Sequence, residues 1–384
     1  MDKSAFTNPN GKFIRSSEGY ETFLPNPLPP TTNFDSITIT LATEAHTKLG
    51  QLSGIGELIP NPDLLIRPYI RREAVLSSKI EGTQATMMDI FEYEAEGKND
   101  SQKVTDKKQI REVLNYIKSL DVCLKKVETE SISINMIEEA HDILMKNVRG
   151  QEKTPGKFRK IQNWIGKEGS QIEDAIYVPP APEMLNNALT DFEKFIQSPP
   201  FGIPVLIQCA LIHYQFESIH PFADGNGRIG RLLIPLILSE RKLLSRPLLY
   251  LSVYFEKNRS EYYRHLLSVS QNQTWTEWIQ FFLRGVIIQA TDAITNIRRL
   301  TDLRTTYEEK LRTKKASGNA TQLMAYLFAN PVVTIPGAER YLNVTYPSAK
   351  LAIERLQEMG ILEEIGNRER NKMFKATEIL NILT

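Results

Sequence analysis

The feature that most limits what this chain can fold into is a period. From about Asp35 onward, apolar residues recur at helical spacing through most of the 384 residues. Ile37, Leu41 and Leu49 begin the pattern, and Ile110, Val113, Leu114 and Ile117 mark a later helix. Residues 132–145 read as another. The length exceeds one average domain, so a mainly α protein of two or three units is expected. Residues 1–35 read as irregular, with Pro25, Pro27, Pro29 and Pro30 following a polar, Gly-containing stretch. Residues 150–182 interrupt the period: Gly150, Pro155, Gly156, Gly166 and Gly169 punctuate them. Ala175, Ile176, Tyr177 and Val178 read as a short strand before Pro179-Pro180, which predicts a small β-hairpin within a helical domain. Helices resume over 182–196 and from Pro204 to about Ser218, with Pro204 suited to a first turn. A helical stretch beginning near Pro68 ends at Gly82.

After about Ile297, residues 298–315 are rich in Arg, Lys, Thr and Glu, and read as a solvated connecting helix ending near Ser317-Gly318. Residues 320–384 then run helix, short helix, helix and two strands around a polar turn, the order of a winged-helix module. The division expected is 1–125, an N-terminal helical region; 126–295, a core; 296–319, a linker helix; and 320–384, the winged helix. Its second long helix carries Lys350 and Arg355 but also Glu354 and Glu358, and its wing carries Arg368, Arg370 and Lys372. That charge is weak support for DNA.

Composition excludes little. A net charge of +1 gives no global reason for a nucleic-acid or membrane partner. Cys123 and Cys209 lie far apart among apolar neighbours, as buried free thiols in a reducing compartment would. The first residues, Met1 to Ser4, carry an acid and no apolar core, and apolar runs such as 232–238 are too short to span a bilayer. A cytoplasmic location with no membrane partner is expected. His46, His141, His213, His220 and His265 show no ligand pairing, so a metal site built from protein ligands alone is not expected.

The chemistry concentrates in HPFADGNGRIGR, residues 220–231. Gly225, Gly227 and Gly230 match GxGxxG, but a dinucleotide fingerprint needs a strand before it and an acid about 20 residues on. Here a helix precedes it and no suitable acid follows. What survives is the reason such loops are glycine-rich: Gly225 and Gly227 let backbone N–H groups converge on an anion. Ile229, Leu232, Leu233 and Leu236 start a helix directly after, so its N-terminal dipole faces the same anion. Arg228 and Arg231 are three apart, able to grip phosphate from one face. Asp224 is placed to hold a Mg²⁺ bridging those phosphates. His220 is suited to removing a hydroxyl proton. Elsewhere Ser77 and Glu81 are i,i+4 neighbours sharing a helix face; on local grounds they read as an ordinary capped helix end.

HPFADGNGRIGR is similar to the Fic family signature HxFx(D/E)GNGRxxR at every defined position. The resemblance covers roughly residues 35–290. It implies a Fic-type helical core with a hairpin flap, and transfer of AMP from ATP to a Tyr, Thr or Ser hydroxyl with release of pyrophosphate. On that basis His220 is the general base and Asp224 the Mg²⁺ ligand. The backbone around Gly225, Asn226 and Gly227 is the anion hole, continued by Ile229 and Gly230. Arg228 and Arg231 contact phosphate, and Phe222 packs the loop into the core. Tyr263 sits by the nucleotide base or ribose, and residues 175–178 form the flap that receives the target. Gly156, Phe158, Arg159, Gln162, Asn163, Trp164 and Gly166 resemble the family's approach to that flap and read mostly as scaffold. Ser77, Glu81 and Gly82 match the inhibitory form (S/T)xxxE(G/N), on a helix around 70–82. Glu81 is then expected to pair with Arg231 in a bidentate contact. The same resemblance leaves room for AMP removal instead of transfer, for self-modification and for a homodimer. Regulation of DNA through residues 320–384 is the alternative from another class.

Overall fold

The computed structural model describes residues 1–31, 33–58, 63–96, 104–167, 169–199, 202–366 and 372–383. Two strands, β1 (Gly11–Arg15) and β2 (Glu21–Pro25), precede the helices α1 (Ser36–Leu58), α2 (Asp63–Ile80), α3 (Met87–Glu96), α4 (Val104–Lys126) and α5 (Ile134–Leu144). An irregular stretch leads to α6 (Leu185–Gln197), α7 (Val205–Ile219), α8 (Asn226–Glu240), α9 (Ser252–Lys257), α10 (Arg259–Asn272) and α11 (Trp275–Thr313). The chain ends with α12 (Gly318–Leu327), β3 (Val332–Thr334), α13 (Ile335–Leu342), α14 (Tyr346–Glu358), β4 (Glu363–Ile365), β5 (Met373–Lys375) and α15 (Thr377–Leu383).

The core is organised on α7. Its sequence VLIQCALIHYQFESI is apolar on every side, and such a helix is stable only when surrounded. Some of its polar groups find partners inside: Gln208 donates to Phe195 O at 3.3 Å, and Ala210 O accepts the indole N–H of Trp278 at 2.9 Å. The next helix, α8, packs beside it, with α6, α10 and α11 on its other sides. Pro235 lies within α8 and does not end it. Pro68 likewise lies inside α2, which starts at Asp63, five residues ahead of the start read from sequence.

Three sequence expectations change. Residues 1–35 are not wholly irregular: β1 and β2 form an antiparallel hairpin with Phe13 opposite Phe23. Phe6, Phe13, Phe23 and Tyr177 pack ring against ring, and this aromatic burial outweighs the polar, proline-rich composition. Conversely, residues 175–178 form no regular strand; one antiparallel bridge joins Ile165 to Tyr177. Val178 O instead accepts the Phe23 N–H at 2.9 Å, so the terminal hairpin braces this segment. Third, no separate linker helix starts at 296. α11 runs unbroken through it, and Ile297, Leu300, Tyr307 and Leu311 are buried, because α12 and α15 cover what composition alone marks as solvated.

In the C-terminal part, β5 lies between β3 and β4, all antiparallel. This part docks on the N-terminal helices. Arg71 on α2 donates to Glu94 of α3 at 2.8 Å and to Asn330 at 3.3 Å, and Thr334 donates to Ala95 O at 3.2 Å. Arg368 and Arg370 lie outside the described residues. Among the described residues, no helix is long and apolar enough to cross a membrane. Because Trp278 is fully buried and ties α11 to α7, Trp278→Ala is expected to cost about 3–5 kcal/mol. A chemical-denaturation midpoint unchanged from wild type would refute that placement.

Candidate active site

His220 closes α7 in the left-handed region, at φ 48° and ψ 59°, a conformation uncommon for a residue with a side chain. Its Nδ1 lies 3.2 Å from the Glu217 carbonyl. A carbonyl only accepts, so Nδ1 carries the hydrogen and Nε2 keeps its lone pair. Burial lowers the His220 pKa to about 4, which leaves the ring neutral and able to take a proton at pH 7. Arg159 donates from Nε to His220 O at 3.0 Å, and Asn163 donates to Phe222 O at 2.9 Å. The stretch read as scaffold therefore grips the catalytic loop by its carbonyls.

Phe222 is buried and stacks on His141, with ring centroids 3.7 Å apart and planes 3° from parallel. His141 comes from α5 and was not singled out by sequence. Its Nδ1 accepts the Gly156 N–H at 2.9 Å, so its Nε2–H donates to Asp224 O at 2.9 Å. A lone histidine on an amphipathic helix carries no local mark of that role. Asn226 turns its side chain back on the loop, accepting the Phe222 N–H and donating to Phe222 O, both at 2.8 Å. Gly225, at φ 79°, ends the loop and precedes α8; a Cβ there would lie 3.0 Å from Met145 Sδ. Ile229 is fully buried, anchoring the first turn of α8 in the core.

The two arginines are buried, at 4% and 1% exposure for Arg228 and Arg231. Arg231 donates from Nε to Ser77 Oγ at 3.0 Å, and from Nη2 to Ser77 O at 2.9 Å and Glu81 Oε1 at 2.7 Å. The expected Glu81–Arg231 pair is present but joined through one nitrogen and one oxygen, not bidentate, because Ser77 occupies the rest of that edge. Ser77 and Glu81 thus meet through Arg231 rather than through each other. The carboxylate rests on the glycine loop itself: a Cβ on Gly227 would fall 2.2 Å from Glu81 Oε1. Gly230 makes the same kind of room for Glu217, whose Oε1 would lie 2.2 Å from a Cβ there.

Burial works to raise the Glu81 pKa, but the Arg231 charge outweighs it and holds the carboxyl below its ordinary range. Glu217 lacks such a close partner, and burial pushes it up to about 8. At neutral pH Glu217 is protonated and Glu81 is the ionised partner of Arg231. Three guanidinium nitrogens, Nε and Nη1 of Arg228 and Nη1 of Arg231, are buried with no acceptor. Unpaired buried cationic donors are costly, and an anion at the Gly225–Gly227 loop would satisfy them.

Asp224 accepts the Gly225 N–H through Oδ1 at 2.7 Å and has Lys153 Nζ 3.5 Å from Oδ2. Its carboxylate is partly exposed. One such oxygen donor suits a Mg²⁺ that takes its remaining ligands from phosphates and water, not an all-protein cage. Tyr263 on α10 is 41% exposed, with the Arg259 guanidinium 5.8 Å from its ring centroid. Its neighbour Tyr262 is the packing residue, bonded to His213 Nε2 at 2.8 Å. In the flap, Ala175, Tyr177 and Val178 are buried and only Ile176 is open to solvent. Tyr177 reaches under the loop to donate to Ser218 O at 3.0 Å.

Residues 39–125 match the model of the Fic/DOC family N-terminal region, and residues 131–238 match that of the Fic/DOC family. Together they take in just over half of the chain. The protein adenylyltransferase Fic of Nematostella vectensis is 35% identical over 132 residues, 32% of this chain and 28% of that protein. The protein adenylyltransferase fic-1 of Caenorhabditis elegans is 30% identical over 151 residues, 39% of this chain and 26% of that protein. The chain thus spans under a third of the length of these relatives. A Fic family protein from Desulfovibrio desulfuricans G20 superposes with a TM-score of 0.58 at 19% identity, over 91% of this chain and 98% of that one. Fic-1 from C. elegans gives 0.53 at 19%, over 68% and 73%. Both share the fold.

His141 and His213 are held neutral inside, burial lowering them to about 4 and about 3. Their folded pKa lies below the ordinary value, so the unfolded chain takes up protons first. The contribution of these two histidines is therefore complete above about pH 6.5 and is lost as the pH drops toward 4. Urea midpoints measured across that interval are expected to decline steadily; a flat series would contradict the buried neutral histidines.

Proposed function

Because the chain belongs to the Fic/DOC family, we propose that it is a protein adenylyltransferase, moving AMP from ATP to a Tyr, Thr or Ser hydroxyl of a protein and restrained by Glu81. The observation that carries this reading is the set of buried, unpaired guanidinium donors of Arg228 and Arg231 beside the N-terminus of α8. They call for a multiply charged anion where helix dipole and glycine backbone already favour one. His220 Nε2 then takes the proton of the attacking hydroxyl. The oxygen bonds to the α-phosphorus while the bond to the leaving oxygen breaks, and pyrophosphate departs. Arg228, Arg231 and the N–H groups from Gly225 onward hold the phosphate charge as it shifts. Asp224 would hold a Mg²⁺, which supplies neutralisation of the phosphate oxygens. Tyr263 is assigned to the nucleoside end, and Ile176 is the flap side chain open to the incoming target.

Glu81 occupies the place over Gly227 that the end of the triphosphate needs, and takes Arg231 Nη2. ATP then binds without its proper clamp, and the resting enzyme is slow. The order and pairing of α12 to β5 support a winged-helix assignment for residues 320–384. Among the described residues, Lys350 pairs with Glu354, Arg355 with Glu358 and Lys372 with Glu364, within 2.6–3.6 Å. That balance favours protein contact over DNA.

With α-labelled ATP and Mg²⁺, Glu81→Gly is expected to raise protein labelling roughly 10- to 100-fold, the equivalent of one charge-assisted hydrogen bond. Adding His220→Ala to that variant is expected to lower labelling by about 10²–10⁴. Labelling that survives in the double variant would rule out His220 as the base.

A further inference from the structure

Behind Arg231 lies a second polar cluster to which the proposed reaction assigns nothing. Glu73 and Ser77 fall at i and i+4 on one face of α2, and Glu81 follows in the turn directly after its last residue, Ile80. Glu73 is fully buried, 1% exposed. Its Oε1 accepts from the Tyr116 hydroxyl at 3.0 Å and from Ser252 Oγ at 2.6 Å, while Oε2 accepts the Ser252 N–H at 3.2 Å. Tyr116 comes from α4, and Ser252 is the first residue of α9. One carboxylate therefore joins three helices. One turn further along α2, Ser77 Oγ accepts from Arg231 Nε. Two polar clusters thus meet on α2: Glu73 with Tyr116 and Ser252, and one turn on, Ser77 with Arg231, which also holds Glu81.

Burying Glu73 is unfavourable unless its oxygens are met, and the three contacts exist only when α2 sits at one height and rotation against α4 and α9. That same setting carries Ser77 and Glu81 onto Arg231. We propose that Tyr116 is a positioning residue for the Glu81–Arg231 contact: by holding Glu73, it locks the register of α2 and keeps the carboxylate over the glycine loop. This rests on the reading of Glu81 as the restraint. The Tyr116 hydroxyl bonds to Glu73 on α2 and not to a residue of the 220–231 motif, so its effect should appear through Glu81.

The test is a cycle of four proteins: wild type, Tyr116→Phe, Glu81→Gly and the double variant. Labelling from α-labelled ATP is read alongside amide hydrogen exchange over residues 73–81. Tyr116→Phe keeps the ring and removes one buried hydrogen bond, so labelling is expected to rise about 3- to 10-fold, with faster exchange in α2. In the Glu81→Gly background it should change nothing further. Ser252→Ala, which spares the Ser252 N–H, should produce a smaller rise of the same kind. Equal loss of labelling with and without Glu81 would show a purely structural tyrosine and overturn the proposal. So would unaltered exchange over 73–81 in Tyr116→Phe, whatever the activity. If Glu81→Gly alone fails to raise labelling, the restraint itself is refuted, and that arm reports it separately.

Discussion

The arrangement depends on one interaction, the burial of the Arg231 guanidinium. At 1% exposure it has left water almost completely, and a cation in that position requires close acceptors. α8 does not supply them. They come from α2, 150 residues earlier, as the hydroxyl and carbonyl of Ser77 and the carboxylate of Glu81. The pairing of α2 with α8 is thus an electrostatic necessity of the resting fold as well as apolar packing. Ser77 and Glu81 supply the acceptors that keep this cation satisfied inside the fold.

The glycines of the motif gain a second meaning from this contact. Their spacing suggests room for a phosphate, and the structure shows that the room is also taken by carboxylates. Glu81 rests where a Gly227 side chain would project, and Glu217 where one on Gly230 would. Two carboxylates near one guanidinium would repel each other, and the conflict is resolved by protonation. Burial raises Glu217 to about 8, while Arg231 keeps Glu81 ionised. One charge then balances one charge.

How much of this was legible in the sequence follows the range of the interactions. The helices around α7 and α8 were readable because apolar period is a local property. The motif was readable because its chemistry is packed into twelve consecutive residues. His141 was not, since stacking on Phe222 and bonding to Asp224 O are made across a loop and leave no trace at 141 itself. The N-terminal hairpin was missed for a related reason: Phe23, on which Phe6 and Phe13 pack, finds its partner in Tyr177, beyond any local window. The strand at 175–178 was over-read because β-branched and aromatic residues mark burial as readily as pairing. Three of its four residues are buried, and Tyr177 is spent on Ser218. α11 was cut at 296 because charge-rich composition marks solvent exposure only when no neighbour covers the opposite face.

The position of α2 carries the consequence furthest. Along its length Arg71 is tied to Glu94 and Asn330, Glu73 to Tyr116 and Ser252, and Ser77 to Arg231. These are attachments to α3 and the C-terminal part, to α4 and α9, and to α8, in that order. A helix is stiff along its axis, and side chains one turn apart share a face. A shift of α2 that would lift Glu81 off the loop must therefore also disturb the Glu73 cluster and the Arg71 contacts. The Glu81–Arg231 contact is thus backed by contacts well away from the glycine loop, and displacing Glu81 works against all of them. Anything that loosens α2 from α9 or from the C-terminal part therefore acts on the Glu81–Arg231 contact without touching the loop.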